Sequence, residues 1–320
     1  MTGKSPDIVR VRQRTPEWLD ARLEGIGASE AAAAIDVSPW ESRISLWARK
    51  LGLVPPPEPT LPMLIGTELE PLIARLYTEA TGIKIRRANM LRRHPEHTFM
   101  LASLDRRAGR KPIELKWSMR GTGYGDAGTD EVPDEVLAQV LHQMAVTDEN
   151  EADVAAIIGG RKDLQVFTVR RDPEAEVSLI EREAEFWSHV QTRTEPPVDG
   201  SEATRRALAA IYPRDDGEAV TAEPVIATAM LGLREARRQI DGLEEERATF
   251  EATIMAAMGT ATRIMAAGIG EIPWKATRDV ESTDWKALRA AHPAIVAEFT
   301  STKPGTRRFG PPKWEEESQP

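Results

Sequence analysis

A short stretch near the first third of the chain, residues 101–116 (LASLDRRAGRKPIELK), carries the residue types that could do chemistry together. Asp105 precedes a turn rich in arginine and glycine, and Glu114 and Lys116 follow that turn. If strands flank the turn, Glu114 and Lys116 share one face, because side chains alternate along a strand. Leu115 then points into apolar packing. The stretch predicts a hairpin that displays two carboxylates and an ammonium group.

Such a hairpin suits the hydrolysis of phosphate esters. Neighbouring carboxylates repel each other, and a bound cation is the usual means of keeping them together. Oxygen ligands favour hard ions, so we expect Mg²⁺, or Mn²⁺ in its place, with one or two ions per site. An ion of this kind polarises a phosphoryl oxygen and helps to deprotonate water. Lys116 would stabilise the negative charge that develops, and the expected product is a cleaved phosphodiester with a 5′ phosphate.

Positive charge is concentrated around the hairpin, although the chain as a whole is acidic. The net charge is −9, yet residues 84–120 contain eleven Lys or Arg against three acids, a balance of +8. Two of those three acids are Asp105 and Glu114. A substrate in a cleft responds to the local potential, so a polyanion such as DNA fits this segment. Arg106 and Arg107, in the turn, are the expected contacts to DNA.

Composition excludes several other kinds of site. The 320 residues include no cysteine, which rules out disulfides, thiolate metal sites and cysteine nucleophiles. The five histidines form no His-x-x-x-His or Ser-His-Asp pattern. We find no apolar run long enough for a membrane span and no secretory signal, and therefore expect no membrane association and a cytoplasmic protein.

Two elements before the hairpin supply further candidates. A short helix is expected after Thr15, and Arg22 lies near its end. The glycine-bearing turn at 25–30 leads into an alanine-rich helix at 30–36 and places Ser29 near its start, where free backbone amides attract anions. Ser29 is either a simple helix cap or, with Arg22, half of a phosphate clamp.

A longer helix is predicted from Gly66 to Thr81, and Glu70 lies near its beginning. Glu70 either interacts with the helix dipole or reaches the hairpin as a third carboxylate. After the hairpin, a helix over 133–147 carries Gln139 and Gln143 on a shared face. We predict residues 1–15 to be loosely held, an edge strand at 83–87, strands at 154–158 and 164–169, and a helix at 178–189.

The order of these elements resembles that of a known nuclease superfamily. A strand with Asp, a turn, a strand with Glu-x-Lys and a helix with Gln resemble the PD-(D/E)xK superfamily, and the motif order resembles its lambda-exonuclease branch, the YqaJ-type viral recombinases. The resemblance covers roughly residues 12–192. It rests on WLDAR (18–22), GIGASEAA (25–32), SPW (38–40), GTELEP (66–71), SLD (103–105), ELK (114–116) and QVLHQMAVT (139–147).

The resemblance implies an α/β core, a central mixed sheet flanked by helices, and roles for particular residues. The metal ligands would be Glu70, Asp105, Glu114 and the Leu115 backbone carbonyl. The catalytic lysine would be Lys116, and Gln139 would place water or substrate. Arg22 and Ser29 would bind the terminal 5′ phosphate of a DNA strand.

The function implied is that of a magnesium-dependent DNA exonuclease of phage recombination in a bacterial host cell. Such an enzyme digests one strand of a duplex from its 5′ end and leaves a 3′ single strand for an annealing protein. Some members form ring-shaped homo-oligomers. The alternatives are an endonuclease of the same fold, or a catalytically weak protein that binds DNA ends or serves assembly. Two departures concern end recognition: Arg106 replaces a glycine that often follows the aspartate, and tyrosines that often precede Gln139 are absent.

The sequence divides into a nuclease domain at 1–195, a linker at 196–224 and a mainly helical, coiled-coil-like extension at 225–320. Apolar residues recur from Ile226 to Ala257 at alternating spacings of three and four, and Arg247 is the one exception. This seam either joins subunits as a coiled coil or packs on the nuclease domain. A small hairpin at 263–277, a helix at 283–299 kinked at Pro293, a basic and aromatic end at 303–313 and an acidic tail are expected after it.

Overall fold

The computed structural model describes residues 7–12, 15–302, 305–310, 312 and 314. The expected acidic tail lies outside the described residues, as do parts of the basic end. Contacts divide the chain into two compact units, one formed by residues 1–214 and 306–320 and the other by residues 215–305. Each unit is described separately below.

A mixed sheet forms the centre of the first unit. Its strands are β1 (Asp7–Arg12), β2 (Ile26–Gly27), β3 (Arg86–Arg93), β4 (Met100–Ala108), β5 (Lys111–Ser118), β6 (Glu151–Ile158) and β7 (Gln165–Arg170). The order across the sheet is β1-β3-β4-β5-β6-β7, and β2 also pairs with β4. The pairs β5–β6 and β2–β4 are parallel, and the others are antiparallel.

The described residues of this unit also form seven α-helices. They are α1 (Pro16–Leu23), α2 (Ala31–Ala34), α3 (Arg43–Lys50), α4 (Leu61–Thr81), α5 (Asp134–Thr147), α6 (Pro173–Thr192) and α7 (Glu202–Ile211). A 3₁₀ turn at Ala28–Glu30 precedes α2, so the alanine-rich helix is shorter than predicted. Within the described part of the chain, no helix has both the length and the apolar character that a membrane crossing demands.

Helices cover both faces of the sheet, because alternate residues of its strands point to opposite sides. On one face, α4 packs against β5 and β6 through Ile73, Tyr77, Ile113, Leu115 and Ala155. On the other face, α5 packs against β6 and β7 through Val136, Val140, Met144, Val154, Ala156 and Phe167. This arrangement confirms the predicted mixed α/β fold with a central sheet flanked by helices.

The predicted hairpin is confirmed, and its two strands separate beyond the turn. The ladder between β4 and β5 pairs Arg106 with Ile113, Arg107 with Pro112 and Ala108 with Lys111. Farther from the turn, β5 continues alongside β6 and β4 continues alongside β3. At its start, β4 instead pairs with β2, and a Cβ on Gly25 would stand 2.4 Å from the Phe99 carbonyl oxygen. Glycine permits this close approach, which brings the 25–30 turn to the end of β4.

Two predictions for the first strands are wrong. Residues 7–12, expected to be loosely held, form β1. The strand predicted at 83–87 runs over Arg86–Arg93 instead, and β1 pairs with its second half, Met90–Arg93, so β3 is not an edge strand along its whole length. The cause is the alternation of Val9 and Val11 with arginines, which gives this segment one apolar face. Both valines pack against the cluster that contains Leu91 and Leu101. Residues 7–12 therefore belong to the sheet.

The interval 196–224, predicted as a linker, contains α7. Ser201 caps this helix by accepting a hydrogen bond from the Thr204 amide at 3.1 Å. Ala207 is buried in the same cluster as Trp47 and Phe186. Helix α7 thus extends the core of the first unit.

The second unit consists of α8 (Pro224–Met258), β8 (Arg263–Ala266), β9 (Gly270–Pro273), α9 (Trp285–Ala291) and α10 (Pro293–Glu298). The predicted seam lies on one continuous helix of 35 residues. The small hairpin is also confirmed, with β8 antiparallel to β9. Pro293 ends the regular hydrogen bonding of the last helix, which becomes two short helices.

Candidate active site

Asp105 lies where β4 and β5 separate. Its Oδ2 accepts a hydrogen bond from the Leu115 amide at 3.0 Å, so a side chain takes the place of a strand partner. The neighbouring residues Ile113 and Leu115 point into the apolar core, as predicted. Asp105 and Glu114 are therefore close together at the opening of the hairpin.

Glu114 is buried and held by three side chains. Its Oε1 contacts Lys116 Nζ at 2.8 Å and accepts from Gln139 Nε2 at 2.7 Å. Its Oε2 accepts from Gln143 Nε2 at 2.7 Å. Lys116 also donates to Gln139 Oε1 at 2.7 Å, which closes a ring of carboxylate, ammonium and amide. Helix α5 thus presents both glutamines to the hairpin.

The electrostatics of the site follow from crowding of negative charge. Burial and the nearby charge of Glu114 raise the pKa of Asp105 to about 8, although Lys116 opposes the shift. The charge of Glu70 also raises the pKa of Asp105. Burial tends to lower the pKa of Lys116, but the charges of Glu114 and Asp105 outweigh it, so its pKa is raised. The site therefore attracts positive charge.

A cavity of about 180 Å³ extends from the opening of the hairpin to the 3₁₀ turn that precedes α2, and Glu114 and Lys116 are not part of its lining. Glu70, Asp105 and Gln139 line one part of it, and Arg22 and Ser29 line another. Three predicted site residues thus share one cavity with the predicted phosphate clamp. The structure brings Glu70 of α4 to the hairpin, which the sequence left open.

Arg22 and Ser29 contact each other directly. Arg22 Nη2 donates to Ser29 Oγ at 3.2 Å and stands 3.1 Å from Glu30 Oε1. The guanidinium also lies over the Trp18 ring, 4.7 Å from its centroid. The pair therefore presents a cation and a hydroxyl in one fixed arrangement on the cavity wall.

Glu30 is a buried residue that the sequence analysis did not single out. Its carboxylate accepts from Lys50 Nζ at 2.6 Å, from Arg49 Nη1 at 2.8 Å and from the Gly27 amide at 2.7 Å. Together with the contact to Arg22, these bonds tie α1, α3 and the 25–30 turn to one carboxylate. The sequence offered one signal for Glu30, namely that it directly follows Ser29, a candidate phosphate ligand.

Arg106 and Arg107, predicted to lie in the turn, instead lie in β4, because the strand continues to Ala108. Arg106 is buried, lines the cavity and donates to the Asp105 carbonyl at 2.7 Å. Its Nη1 is 4.0 Å from Glu70 Oε2. Arg107 is not among the residues that line the cavity. The predicted contact of Arg107 with DNA therefore lies outside this cavity.

The donor set suits a hard divalent cation. Glu70, Asp105, Glu114 and the Leu115 carbonyl offer oxygen alone. Burial, together with the nearby charge of Glu114, raises the pKa of Asp105, and a bound cation would offset both effects. Across the described ranges, no three acidic or histidine side chains stand preassembled as a metal cluster. Arg106 lies near Glu70, and Lys116 with two glutamines holds Glu114, so positive and amide groups compensate these carboxylates.

Two further residues belong to the surroundings of the site. Gln143 binds Glu114, and its position four residues after Gln139 was the signal for it. Tyr124, in the glycine-rich loop after β5, interacts electrostatically with Lys116, and burial raises the pKa of this tyrosine to about 12. No spacing rule connects that loop to the hairpin, so the sequence did not indicate Tyr124.

The fold and the cavity define an α/β protein with a carboxylate and lysine site at the opening of a sheet hairpin. The profile of the YqaJ-like viral recombinase domain matches residues 17–150. The uncharacterized protein YqaJ of Bacillus subtilis (strain 168) is 31% identical over 219 residues, which cover 66% of this chain and 68% of that protein. The chain belongs to the YqaJ-like viral recombinase family.

Solved structures of exonucleases are also similar to part of this chain. An alkaline exonuclease (LHK-Exo) from Laribacter hongkongensis is 24% identical, with a TM-score of 0.46, and the match covers 57% of this chain and 95% of that one. A phage-related exonuclease from Haemophilus somnus 129PT is 12% identical, with a TM-score of 0.40, and the match covers 53% of this chain and 96% of that one.

Proposed function

We propose that this protein is a magnesium-dependent DNA exonuclease that digests one strand of a linear duplex from its 5′ end during phage-type recombination. One observation carries the proposal: Arg22 and Ser29 line the same cavity as Glu70, Asp105 and Gln139. The carboxylates would serve any phosphodiester-cleaving enzyme, including an endonuclease. The guanidinium of Arg22 and the hydroxyl of Ser29, which line the same cavity, additionally suit the terminal phosphate of a DNA strand and therefore favour an exonuclease.

Mg²⁺, or Mn²⁺, held by Glu70, Asp105, Glu114 and the Leu115 carbonyl, would polarise the scissile phosphodiester and lower the pKa of an attacking water. Lys116 supplies a fixed positive charge beside the reacting phosphate. Gln139, bonded to both Lys116 and Glu114, keeps the ammonium in place and orients water. Arg22 and Ser29 bind the 5′ phosphate, and Arg106 adds positive charge near Glu70.

The partners follow from this reaction. The substrate is a double-stranded DNA end in the cytoplasm of a bacterial host cell, and the product is a 3′ single strand. A single-strand annealing protein is the expected recipient of that product. The domain limits proposed for the nuclease, residues 1–195, contain every residue assigned to the reaction.

The first prediction concerns Asp105. Asp105→Asn removes the charge but keeps an acceptor for the Leu115 amide, so the fold should persist while cleavage of linear duplex in Mg²⁺ falls by at least about 100-fold. Asp163→Asn, an exposed loop aspartate, is the matched control and should leave the rate unchanged. Full activity of Asp105→Asn would remove this residue from the metal site.

The second prediction concerns end recognition. The unmodified protein should cut 5′-phosphorylated linear duplex faster than dephosphorylated duplex, because Arg22 and Ser29 bind the phosphate. Arg22→Gln should reduce that preference by about tenfold or more while Arg75→Gln, on the exposed side of α4, should not. Equal cutting of circular and linear duplex would instead identify an endonuclease.

A further inference from the structure

Helix α8 carries an apolar seam whose residues are exposed, apart from the half-buried Leu233 and Ile254. The seam consists of Ile226, Ala229, Leu233, Ala236, Ile240, Leu243, Arg247, Phe250, Ile254 and Ala257. Ile240, Leu243 and Phe250 are 54%, 64% and 60% exposed. With 35 residues, the helix is roughly 50 Å long. Large apolar side chains arranged in this way indicate a binding surface for another helix.

The seam is complementary in size to a reversed copy of itself. When two copies run antiparallel about a point midway between Ile240 and Leu243, each seam residue meets a partner on the other copy. The layers then pair Ile226 with Ala257, Ala229 with Ile254, Leu233 with Phe250, Ala236 with Arg247, and Ile240 with Leu243. In three layers a large residue faces an alanine, and in the other two layers two large apolar residues face each other. No layer pairs two alanines, so every layer contains at least one large side chain to fill the space between the helices.

The charges of α8 favour the same orientation. Residues 234–238 contain three arginines and one glutamate, whereas residues 241–251 contain five acids and one arginine. Reversal of one copy brings the basic segment of each helix alongside the acidic segment of the other. Arg237 then lies beside Glu244 of the second copy on the same flank of the seam.

A parallel pairing would oppose like charges. In register, Arg247 would face Arg247, and Glu246 would lie beside Glu251 of the second copy. In the antiparallel pairing, Arg247 faces the small side chain of Ala236, and its guanidinium keeps its contact with Glu251 of its own helix at 3.5 Å. The one polar residue of the seam thus selects the orientation.

We infer that two copies of this protein associate through an antiparallel coiled coil of their α8 helices. The partner of the exposed seam is a second copy of the same chain. The association rests on the seam and its charges alone and is independent of the proposed reaction.

Light scattering on the full chain tests the association. The unmodified protein should have twice the 35.4 kDa chain mass, and the double variant Ile240→Asp/Leu243→Asp should raise the dissociation constant by more than about tenfold. Leu231→Asp is the matched control, since Leu231 is exposed on the side of α8 opposite the seam. Circular dichroism checks that all three retain their helix. A monomeric unmodified protein, or a dimer that survives the double variant, overturns the inference.

Introduced cysteines test the orientation, because the chain has none of its own. A mixture of Ala236→Cys and Arg247→Cys chains should cross-link with a short bismaleimide, and Ala236→Cys alone should not. Cross-linking of Ala236→Cys alone would establish a parallel pair and overturn the proposal. Arg237→Glu and Glu244→Arg should each weaken the dimer, and the double exchange should restore it; failure of that restoration would also contradict the pairing.

Discussion

Glu30 illustrates how one buried side chain sets the geometry of another side chain several residues away. It receives Lys50, Arg49 and the Gly27 amide, and it lies against Arg22. Burial opposes the ionisation of Glu30, but the charges of Lys50, Arg22 and Arg49 outweigh that effect and hold its pKa far below the usual range. The carboxylate therefore stays charged and keeps the Arg22 guanidinium aimed at the cavity.

Replacement of Glu30 should cost stability in a manner that depends on pH. Glu30→Gln leaves buried cations without their counterion, so we expect the free energy of unfolding at neutral pH to fall by about 3–5 kcal/mol. The folded-state pKa is below the unfolded value of about 4.3, so the contribution is complete above that value and is lost as the pH falls below it.

Urea unfolding at about pH 7 and about pH 3.5 measures this effect. The difference between the unmodified protein and Glu30→Gln should narrow at the lower pH. Glu181→Gln, an exposed glutamate of α6, should show little difference at either pH. A difference that stays constant with pH would argue against a charged Glu30.

Helix α5 holds Gln139 and Gln143 against Glu114, and its own position depends on a buried pair. His142 Nε2 donates to the Leu101 carbonyl of β4 at 3.0 Å, and Nδ1 contacts Glu183 Oε1 of α6 at 2.8 Å. Both side chains are completely buried. The pair therefore fixes α5 between the sheet and α6, and with it the register of the two glutamines.

This pair predicts a non-additive response to substitution. His142→Leu leaves the Glu183 carboxylate buried without its partner and should destabilise the protein by about 3–5 kcal/mol. His142→Leu/Glu183→Leu removes both polar groups and should be more stable than His142→Leu alone. His189→Leu, which breaks the more exposed pair with Glu185 on the same helix, should cost less than about 1 kcal/mol. Additive effects in urea unfolding would show that the pair is not coupled.

Sequence patterns predicted the elements whose signals are local. The helices after Thr15 and before Gly82 were found from capping residues and apolar spacing, and the hairpin was found from its turn. The roles of Glu30 and Tyr124 were not predicted, because the residues they contact come from distant segments of the chain. The alternation of Val9 and Val11 with arginines was a local signal for β1, and the prediction of a loosely held terminus did not use it. Patterns within one element are therefore visible in sequence, and contacts between elements are not.

At the scale of the molecule, positive charge is concentrated in one segment of an otherwise acidic chain. The chain carries −9 overall, while the basic segment at 84–120 forms β3, β4 and β5 around the cavity. A uniformly acidic protein would repel DNA at every approach. Here the basic strands provide one attractive region, and the acidic remainder disfavours binding elsewhere.

The salt dependence of DNA affinity tests whether the basic segment contacts DNA. In the Asp105→Asn background, in which cleavage is predicted to fall at least about 100-fold, affinity for linear duplex should fall steeply as salt rises. Arg87→Gln, on the exposed part of β3, should reduce the slope of log K against log salt by about 0.9. Arg205→Gln, exposed on α7, should leave the slope unchanged. Equal slopes for all three proteins would place the DNA elsewhere.

The hydrogen bond from the Leu115 amide to Asp105 makes one backbone position a reporter of the site. An amide held in a strand ladder exchanges its hydrogen with solvent when the sheet opens, whereas this amide is released as soon as one carboxylate turns away. Its exchange rate therefore follows the orientation of Asp105 and not the stability of β5. A cation that draws the carboxylate into the cavity should increase the deuterium uptake of Leu115 before the sheet itself responds.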